Sequence, residues 1–365
     1  MVGSLWRTLL KIERYPENPL VTPLDVPPSR PDFEVLCAFN AGVARYKDEI
    51  ILLLRVAERA IGDDLVARVP ILKCERGGDA CVEIYEFRKT DPMSDFNDPR
   101  IIITPGGAFL TTLSHLRVAR SRDGRNFVVD PKPAIFPDRP SEIYGIEDPR
   151  ITEIEGKYYI TYKGVAPTGT SASLAVTTDF VNFERKGLIF CPENLDVCIF
   201  PERVKGRYVA LHRPVPRSFG QPNMWVAYSP DLISWGDHHF LMGVQADSWD
   251  SGRIGAGAIP IKTEHGWLEI YHGATAGDFY CLGAVLLDLD EPHRLIARGK
   301  DPILVPEAPY ETRGFVPNVV FTCGAVADDD RLTLYYGAAD MVIAGADMSI
   351  SEIVDTLECG GLPPL

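Results

Sequence analysis

Short apolar segments rich in aromatic residues alternate with loops that contain Gly, Pro and Asp along most of the chain. From about residue 154 onward one such unit recurs, and its copies end at or near a small residue or a proline. The copies are KYYITYKG (157–164), RYVALHRP (207–214), WLEIYHG (267–273) and RLTLYYGAAD (331–340). Second segments, in which alternating apolar positions meet an Asp-centred turn, are LRVARSRDGRNF (116–127), SLAVTTDFVNF (173–183), MWVAYSPDLISW (224–235) and CLGAVLLDLDEPHRL (281–295). The pattern therefore predicts repeated antiparallel β units.

The spacing of these copies indicates a radial all-β fold. They lie about 45 to 65 residues apart, close to one four-stranded propeller blade with a loop insertion. The segment 33–59 predicts two strands around a turn at 47–49, and apolar residues at helical spacing predict a C-terminal helix at 349–358 that caps one end. No linker or low-complexity tract divides the chain. We therefore expect residues 1–365 to form a single catalytic domain, with the first 30 or so residues as an extension.

Composition and charge limit the class of partner. The formal net charge of −14 and the pI near 5.0 disfavour a nucleic-acid partner, because an acidic protein repels phosphate backbones. No stretch reaches the ~20 apolar residues of a membrane span, and charges interrupt the short apolar patch at the N-terminus. We therefore expect a cytoplasmic protein that binds neither nucleic acid nor membrane, and a neutral, sugar-like ligand fits the composition better.

The cysteines and histidines do not indicate a metal site. The eight cysteines are scattered without a CxxC pair, and we interpret them as free thiols that are mostly buried. The seven histidines show no recognisable ligand spacing. We expect no metal and no organic cofactor.

Polar and ionisable residues gather where the predicted strands begin or end. The inner strands of a propeller converge on an axial cavity, so residues at equivalent strand ends can meet there despite large separations in sequence. Each of them alone also has a structural interpretation; Asp148, for example, could cap a turn before Pro149. Their shared position favours a common site. The candidates are Asn40, Arg55, Glu147, Asp148, His212, Arg213, His272 and Asp340.

Several motifs together resemble glycoside hydrolase family 130, from about Asn40 to the C-terminal helix. The motifs, in order, are IEDPRIT (146–152), FPERVKGRYVALHRP (200–214), SPDLISWG (229–236), GRIGAGAIPIKTEHGWLEIYHG (252–273), VPNVVF (316–321) and YYGAAD (335–340). Each motif alone is a weak signal, whereas their order and spacing are specific. The resemblance implies a five-bladed β-propeller that acts on β-mannosides, as a phosphorylase or, in some branches, as a hydrolase.

The resemblance also implies roles for individual residues. Asp148 would be the catalytic general acid, protonating the glycosidic oxygen through a hydroxyl of the bound mannose. The substrate-binding residues would be Asn40, Arg55, Arg117, Glu147 and Asp340. The residues that bind inorganic phosphate would be Arg213, Arg253, His272 and Tyr280.

The residue types favour phosphorolysis over hydrolysis. Phosphate is itself the nucleophile, so a phosphorylase needs cations where a hydrolase needs a second carboxylate to activate water. Arginine suits phosphate because its planar fork donates two hydrogen bonds at once. One departure weakens the phosphorylase pattern, because Leu195 stands where a basic residue is expected. Glu269 could activate water in a hydrolase, but strand alternation places it on the face opposite His272.

We therefore expect an inverting β-mannoside phosphorylase that releases α-mannose 1-phosphate. The alternatives are an inverting β-mannosidase, acting on β-1,2 linkages among others, and a carbohydrate-binding propeller without catalytic activity. The segment 88–100 is expected to shape the acceptor side of the site, but linkage and acceptor sugar cannot be read from it. Edge loops favour a homo-oligomer, although the sequence does not define its state.

Overall fold

The computed structural model describes residues 10–74 and 80–358, and its secondary structure is almost entirely β. The strands of the first half are β1 (Glu13–Arg14), β2 (Phe33–Tyr46), β3 (Glu49–Ala60), β4 (Val66–Lys73), β5 (Cys81–Arg88), β6 (Ile101–Thr104), β7 (Gly107–Leu110), β8 (Leu113–Ser121), β9 (Val128–Val129), β10 (Ile146–Ile154), β11 (Lys157–Ala166), β12 (Gly169–Thr177) and β13 (Glu184–Phe190). Those of the second half are β14 (Asn194–Ile199), β15 (Tyr208–Pro214), β16 (Met224–Ser229), β17 (Gly236–Met242), β18 (Arg253–Ala256), β19 (Ile261–Lys262), β20 (Trp267–Ala274), β21 (Tyr280–Leu287), β22 (Leu295–Arg298), β23 (Val320–Asp328), β24 (Arg331–Ala338) and β25 (Val342–Ser349). The α-helices are α1 (Pro309–Thr312) and α2 (Ile350–Glu358), and two short 3-10 helices lie at Pro23–Asp25 and Pro140–Glu142.

These strands form five antiparallel blades, which confirms the predicted five-bladed β-propeller. Blade I has the strand order β2-β3-β8-β9, blade II β10-β11-β12-β13 and blade III β14-β15-β16-β17. Blade IV has the order β18-β20-β21-β22, with β19 pairing β20, and blade V has the order β23-β24-β25-β1. The first strands of neighbouring blades contact one another, as in β23 with β2, β2 with β10, β10 with β14 and β14 with β18. They therefore surround the axis, and the aromatic-rich repeats of the sequence are mostly second strands.

The apolar faces of adjacent blades pack against each other. The largest cluster of buried residues joins blades IV and V, and it includes Leu268, Leu282, Leu334 and Tyr336. Helix α2 adds Ile353 to the same cluster and contacts β21, β22 and β25, as the predicted end cap required. Among the described residues, no helix has both the length and the apolar content needed to cross a membrane. The division of the chain into domains stays a prediction.

The N-terminal segment completes the last blade. Strand β1 pairs with β25, so the outermost strand of blade V comes from the other end of the chain. The Arg14 guanidinium lies 2.8 Å from Glu311 Oε1 and donates to the Val305 carbonyl at 2.7 Å. The Glu311 carboxylate is fully buried and also accepts from the Tyr336 hydroxyl. This partly buried ion pair therefore ties the N-terminal strand β1 to helix α1, which precedes blade V.

Three of the innermost strands carry a β-bulge with an Asn or Asp in the left-handed conformation. The strand register shifts between Phe39 and Gly42 in β2, between Glu147 and Arg150 in β10, and between Leu195 and Cys198 in β14. The residues with positive φ at these bulges are Asn40 (46°), Asp148 (50°) and Asp196 (54°). Asn and Asp tolerate this conformation better than other residues with a Cβ, and a bulge re-aims the side chain it carries. Blades I, II and III therefore share a bulge with a positive-φ residue in their inner strands.

An insertion between β3 and β8 covers one end of the propeller beside blade I. It contains the hairpins β4-β5 and β6-β7, each a separate two-stranded sheet. Its small core is built from Val69, Ile71 and Ile102 with surrounding aromatic side chains. The segment 88–100, which the sequence analysis assigned to the acceptor side, connects the two hairpins.

Loss of the Arg14 side chain should destabilise the protein. In Arg14→Met the Glu311 carboxylate stays buried without its counter-ion, which costs about 3 to 5 kcal/mol of unfolding free energy for pairs of this kind. Urea unfolding measures the change. Arg122→Met is the matched control, because Arg122 and Asp48 are 78% and 73% exposed and such pairs are worth about 0 to 1 kcal/mol. Equal stabilities for the two variants would contradict the assigned role of Arg14.

Candidate active site

A cavity of about 440 Å³ opens where the axis meets the insertion. Blades I, II, IV and V, the insertion and the loop before β23 all contribute to its wall. The lining residues are Phe39, Asn40, Arg55, Asp98, Arg100, Ile101, Leu110, Thr112, Glu147, Asp148, Lys163, Val165, Thr170, Tyr280, Phe315, Val319, Phe321 and Asp340. Six of the predicted site residues therefore line one cavity: Asn40, Arg55, Glu147, Asp148, Tyr280 and Asp340.

Asp148 lies in the wall of this cavity and is 5% exposed. One carboxylate oxygen accepts hydrogen bonds from Asn40 Nδ2 at 2.9 Å and from the Arg55 guanidinium at 3.0 Å. The other oxygen lies 3.2 Å from Lys163 Nζ. Asp148 belongs to strand β10 rather than to a loop before it, and its bulge turns the side chain toward the axis. The geometry thus holds one carboxylate among three donors.

The surrounding cations control the protonation of Asp148. Burial by itself raises the pKa of this carboxyl, but the charges of Lys163 and Arg55 and the hydrogen bond from Asn40 outweigh burial. The net pKa lies below the usual range of an aspartate. Glu147 shares both cations, because its oxygens lie 2.7 Å from Arg55 and 2.6 Å from Lys163. In this state of the site, Asp148 is therefore a carboxylate at neutral pH.

Asn40 is itself held by close packing from blade V. A Cβ added at Gly337 would overlap the Asn40 Oδ1 atom and come 3.0 Å from the Asn40 backbone nitrogen. Only glycine leaves room for the amide at this point. The absence of a side chain on β24 therefore helps to aim Asn40 at Asp148.

Asp340 faces the same cavity, and its protonation differs from that of Asp148. Burial raises the pKa of Asp340 from 3.8 to about 6; Arg55 opposes this rise, while the nearby Asp148 carboxylate adds to it. Ala339 and Asp340 both have positive φ, at 48° and 50°, directly after β24. Asp148 and Asp340 thus titrate in different ranges.

A second polar group lies deeper, around the buried carboxylate of Asp196. Its Oδ1 atom lies 3.2 Å from the Arg150 guanidinium, and its Oδ2 atom lies 3.1 Å from Arg213 and 3.3 Å from His272 Nε2. Burial would raise the pKa of Asp196, but Arg213, His272 and Arg150 hold it well below its usual value. Burial also lowers the pKa of His272, although Asp196 opposes this effect.

Arg150 connects the two groups. Its guanidinium donates to the Asp148 carbonyl at 3.3 Å, to the Gly257 carbonyl at 3.1 Å and to the Ala256 carbonyl at 2.5 Å, besides its contact with Asp196. A cavity of only about 10 Å³ lies between Asp148 and Asp196, beside Arg150. The predicted acid and two of the predicted phosphate-binding residues are therefore parts of one hydrogen-bonded network.

The other two predicted phosphate-binding residues, Arg253 and Tyr280, pair with each other. Arg253 Nε donates to the Tyr280 hydroxyl at 2.6 Å, and its guanidinium also forms an ion pair with Asp278. The side chain of Arg253 is 31% exposed, whereas that of Arg213 is 9% exposed. Arg213 donates to the carbonyl of Ile254, the residue after Arg253. These groups therefore lie side by side at the edge of blade IV.

One predicted substrate-binding residue was wrong. Arg117 does not line the cavity; its guanidinium is fully buried and donates to the Pro27 carbonyl at 2.7 Å. Arg55 pairs with Leu116 in the sheet, so Arg117, one residue on, points to the opposite face. Arg117 holds the N-terminal segment against blade I instead.

Leu195 and Glu269 are the two residues that bear on the choice between phosphorolysis and hydrolysis. Leu195 pairs with Arg213 in the β14-β15 ladder and brings no charge to the site. Glu269 is fully buried, accepts a hydrogen bond from the Gly257 N–H at 3.0 Å and does not line the cavity. Burial raises the pKa of Glu269 well above its usual value, so a neutral carboxyl fits this position better than a water-activating base.

Sequence reasoning did not single out Lys163, Arg100, Arg150 or Asp196 as site residues. Lys163 is the one basic residue among the cavity-facing positions of β11, and alternation along KYYITYKG could have found it. Asp196 shares with Asn40 and Asp148 a bulge in an inner strand and a positive φ. Within residues 10–74 and 80–358, no cluster of three or more His, Cys, Asp or Glu could hold a metal ion. The four cysteines in the central strands are buried, Cys74, Cys81 and Cys191 are partly or fully exposed, and Cys359 lies outside the described residues.

Comparison with known proteins gives consistent matches. A glycoside hydrolase family 130 model, described as beta-1,4-mannooligosaccharide phosphorylase, matches residues 108–359. A beta-1,2-mannobiose phosphorylase of Listeria innocua is 48% identical over 354 residues, covering 96% of this chain and 99% of the relative. A 1,2-beta-oligomannan phosphorylase of Thermoanaerobacter sp. is 41% identical over 254 residues, covering 69% of this chain and 84% of the relative. The solved structure of the Listeria innocua beta-1,2-mannobiose phosphorylase with beta-1,2-mannobiose has a TM-score of 0.92 to this chain at 47% identity, covering 96% of this chain and all of the other.

The raised pKa of Asp340 should make its effect on stability depend on pH. Between about pH 4 and 6 the folded protein holds a proton on Asp340 that the unfolded chain has lost, so this residue's contribution to stability falls as pH rises through that window. Asp340→Asn, which carries no charge, should gain melting temperature relative to wild type from pH 4 to pH 6 and keep a constant difference above it.

Thermal unfolding from pH 4 to pH 8 measures this difference. Asp329→Asn is the matched control, because Asp329 is an exposed turn residue with a similar φ of 50°. A pH-independent difference between wild type and Asp340→Asn would show that the Asp340 carboxyl titrates in its ordinary range.

Proposed function

The chain belongs to glycoside hydrolase family 130 and is a β-mannoside phosphorylase, and we propose that its substrate is β-1,2-mannobiose. The proposed reaction is an inverting phosphorolysis that gives α-mannose 1-phosphate and mannose. The linkage rests on 48% identity across nearly the whole length of the Listeria innocua beta-1,2-mannobiose phosphorylase. The observation that supports the chemistry is a continuous polar network. Arg150 donates to the Asp148 backbone carbonyl and pairs with Asp196, which in turn contacts Arg213 and His272.

We assign the proton transfer to Asp148. In the proposed displacement, a phosphate oxygen bonds to the anomeric carbon on one face, while the bond to the glycosidic oxygen breaks on the other. That oxygen leaves with a proton that comes from Asp148 by way of a mannose hydroxyl, as the family resemblance implies. In the reverse direction the Asp148 carboxylate takes the proton back. One acid is sufficient, because phosphate supplies the nucleophile.

The ionised state of Asp148 in the present structure is consistent with this role. The positive charges of Lys163 and Arg55 hold its proton off. A phosphate anion that binds nearby offsets part of this positive field, and a bound sugar excludes water from the cavity; both effects raise the pKa of a carboxyl. Both substrates therefore shift the pKa of Asp148 upward, toward the protonated form that a general acid needs.

The cations near Asp148 favour phosphate over water as the nucleophile. Three guanidinium groups, those of Arg150, Arg213 and Arg253, lie with two carboxylates, Asp196 and Asp278, at the proposed phosphate-binding edge. The balance of formal charge is positive, in a protein with a net charge of −14. A hydrolase would need a free carboxylate there, whereas Asp196 already contacts three cationic or imidazole groups. Arg150 and Lys163 also supply positive charge that Leu195 does not.

The cavity walls support sugar binding by Asn40, Arg55, Glu147 and Asp340, in line with the roles implied by the resemblance. Arg100 and Asp98 are proposed to face the acceptor sugar, since they line the cavity from the insertion. A cytoplasmic location and a homo-oligomeric state stay predictions from the sequence.

Phosphate dependence and linkage specificity test the proposed function. Purified protein incubated with β-1,2-mannobiose should release α-mannose 1-phosphate only when inorganic phosphate is present. β-1,3- and β-1,4-linked mannobioses should react at least about tenfold more slowly, because a misplaced acceptor loses the alignment on which displacement depends. Anion-exchange chromatography of the products measures both. Free mannose without sugar phosphate would identify a hydrolase, and preferred cleavage of the β-1,4 isomer would assign the chain to the β-1,4 activity of the family description.

Removal of the proposed acid should abolish most of the phosphorolysis. Asp148→Asn should lower kcat by about 10² to 10⁴-fold, the usual contribution of a positioned general acid, while the fold is retained. Coupled detection of α-mannose 1-phosphate measures kcat, and circular dichroism checks the fold. The control Asp48→Asn removes a 73% exposed carboxylate and should retain wild-type kcat. A folded Asp148→Asn variant with more than about a tenth of wild-type kcat would exclude Asp148 as the proton donor.

A further inference from the structure

We propose that the Asp278 carboxylate pairs with Arg253 when phosphate is absent. Phosphate displaces this carboxylate, which then pairs with Arg100 and thereby fixes the acceptor-side wall of the cavity. The inference rests on the proposed function, because it takes Arg253 as part of the phosphate site. It assigns a positioning role to Asp278 and a coupling between the two substrates. Neither Asp278 nor Arg100 was named as a site residue from the sequence.

Asp278 lies between two arginines that belong to different parts of the protein. One carboxylate oxygen pairs with the Arg253 guanidinium at the start of β18. The other oxygen lies 3.6 Å from the Arg100 guanidinium, which comes from the insertion. Arg253 also donates to the hydroxyl of Tyr280, and both Tyr280 and Arg100 line the cavity. A single carboxylate therefore joins the proposed phosphate-binding edge of blade IV to the cavity wall formed by the insertion.

The turn that carries Asp278 presents its carboxylate at a defined position. Asp278 has a φ of 59° in the short connection between β20 and β21, and its N–H donates to the Thr275 carbonyl. Strand pairing of Ala274 with Tyr280 closes this turn directly beside it. The placement of the carboxylate thus follows from the turn, and loss of its charge need not alter the backbone.

Exposure allows a small anion to compete for Arg253. The side chains of Arg253 and Asp278 are 31% and 32% exposed, in contrast to the buried contact of Arg213 with Asp196. A phosphate anion offers more oxygen acceptors and more charge than one carboxylate, so it is the stronger partner for a guanidinium fork. Phosphate can therefore replace Asp278 at Arg253 without unfolding the site.

Displacement has a consequence for Arg100. A carboxylate released from Arg253 becomes free to pair fully with Arg100, whose guanidinium already binds Asp98 at 2.8 Å in the same loop. The loop that carries Asp98 and Arg100 forms the acceptor side of the cavity and joins the two hairpins of the insertion. Phosphate binding should therefore tighten this wall around the disaccharide, and by thermodynamic reciprocity the disaccharide should tighten phosphate binding.

The test is an initial-rate matrix in both substrates, β-1,2-mannobiose and phosphate. For wild type, the apparent affinity for mannobiose should increase at least about fivefold between low and saturating phosphate, the low end of coupling between two sites. Asp278→Asn should lower the KM for phosphate at least about fivefold, because the competing carboxylate is gone, and should abolish the coupling. Asp278→Glu should restore wild-type behaviour, and Arg100→Gln should lose the coupling without a lower KM for phosphate.

Asp237→Asn is the matched control. Asp237 lies on β17, the outer strand of blade III, has a positive φ of 49° and pairs with the exposed Arg207. Its substitution should leave both KM values and the coupling unchanged. An unchanged or raised KM for phosphate in Asp278→Asn, with wild type still dependent on phosphate, would overturn the role of Asp278 alone. Wild-type cleavage without phosphate would instead overturn the proposed function itself.

Discussion

The buried guanidinium of Arg150 is the interaction on which the site depends. It lies near the axis and binds backbone carbonyls of blades II and IV together with the Asp196 carboxylate of blade III. A buried arginine needs several acceptors, because an unpaired charge in the interior is strongly unfavourable. This requirement holds the inner strands of three blades in one relative position. The distance between the proposed acid and the proposed phosphate site is thereby a property of the ring rather than of a flexible loop.

The second constraint is conformational. Asn40, Asp148 and Asp196 occupy left-handed positions at bulges of neighbouring inner strands, so three blades present polar side chains toward the axis in the same way. A regular strand would alternate these side chains between the two faces of a blade, and blade packing would bury some of them among apolar residues. The positive charges of Arg55, Lys163 and Arg150 then compensate the acids gathered there. The bulges direct the carboxylates of Asp148 and Asp196 toward the axis, and the ion pairs offset the free-energy cost of burying them.

The sequence contains enough information for the fold and for the outline of the site, and the structure shows where such reasoning ends. Repeats of aromatic-rich strands are local signals, so the propeller, the first hairpin and helix α2 followed from periodicity and from the family resemblance. Asp148, Asp340 and Asn40 were found because polar residues at strand ends are conspicuous. Arg117 was misassigned because one position along β8 decides which face a side chain takes, and only the pairing of Leu116 with Arg55 reveals it. Asp196 was not predicted, because its partners Arg213 and His272 come from strands that meet it only in the folded ring.

The glycine at position 337 shows that a reactive centre can depend on a residue without functional groups. Gly337 lies against Asn40 of the adjacent blade I, whose amide binds the proposed acid, and a single methyl group at position 337 would take the space of that amide. The space left by a glycine in blade V thus permits a hydrogen bond between blades I and II. A survey of substitutions ranked by chemistry alone would pass over this glycine. Gly337 nevertheless determines the position of Asn40, and therefore of the hydrogen bond that orients Asp148.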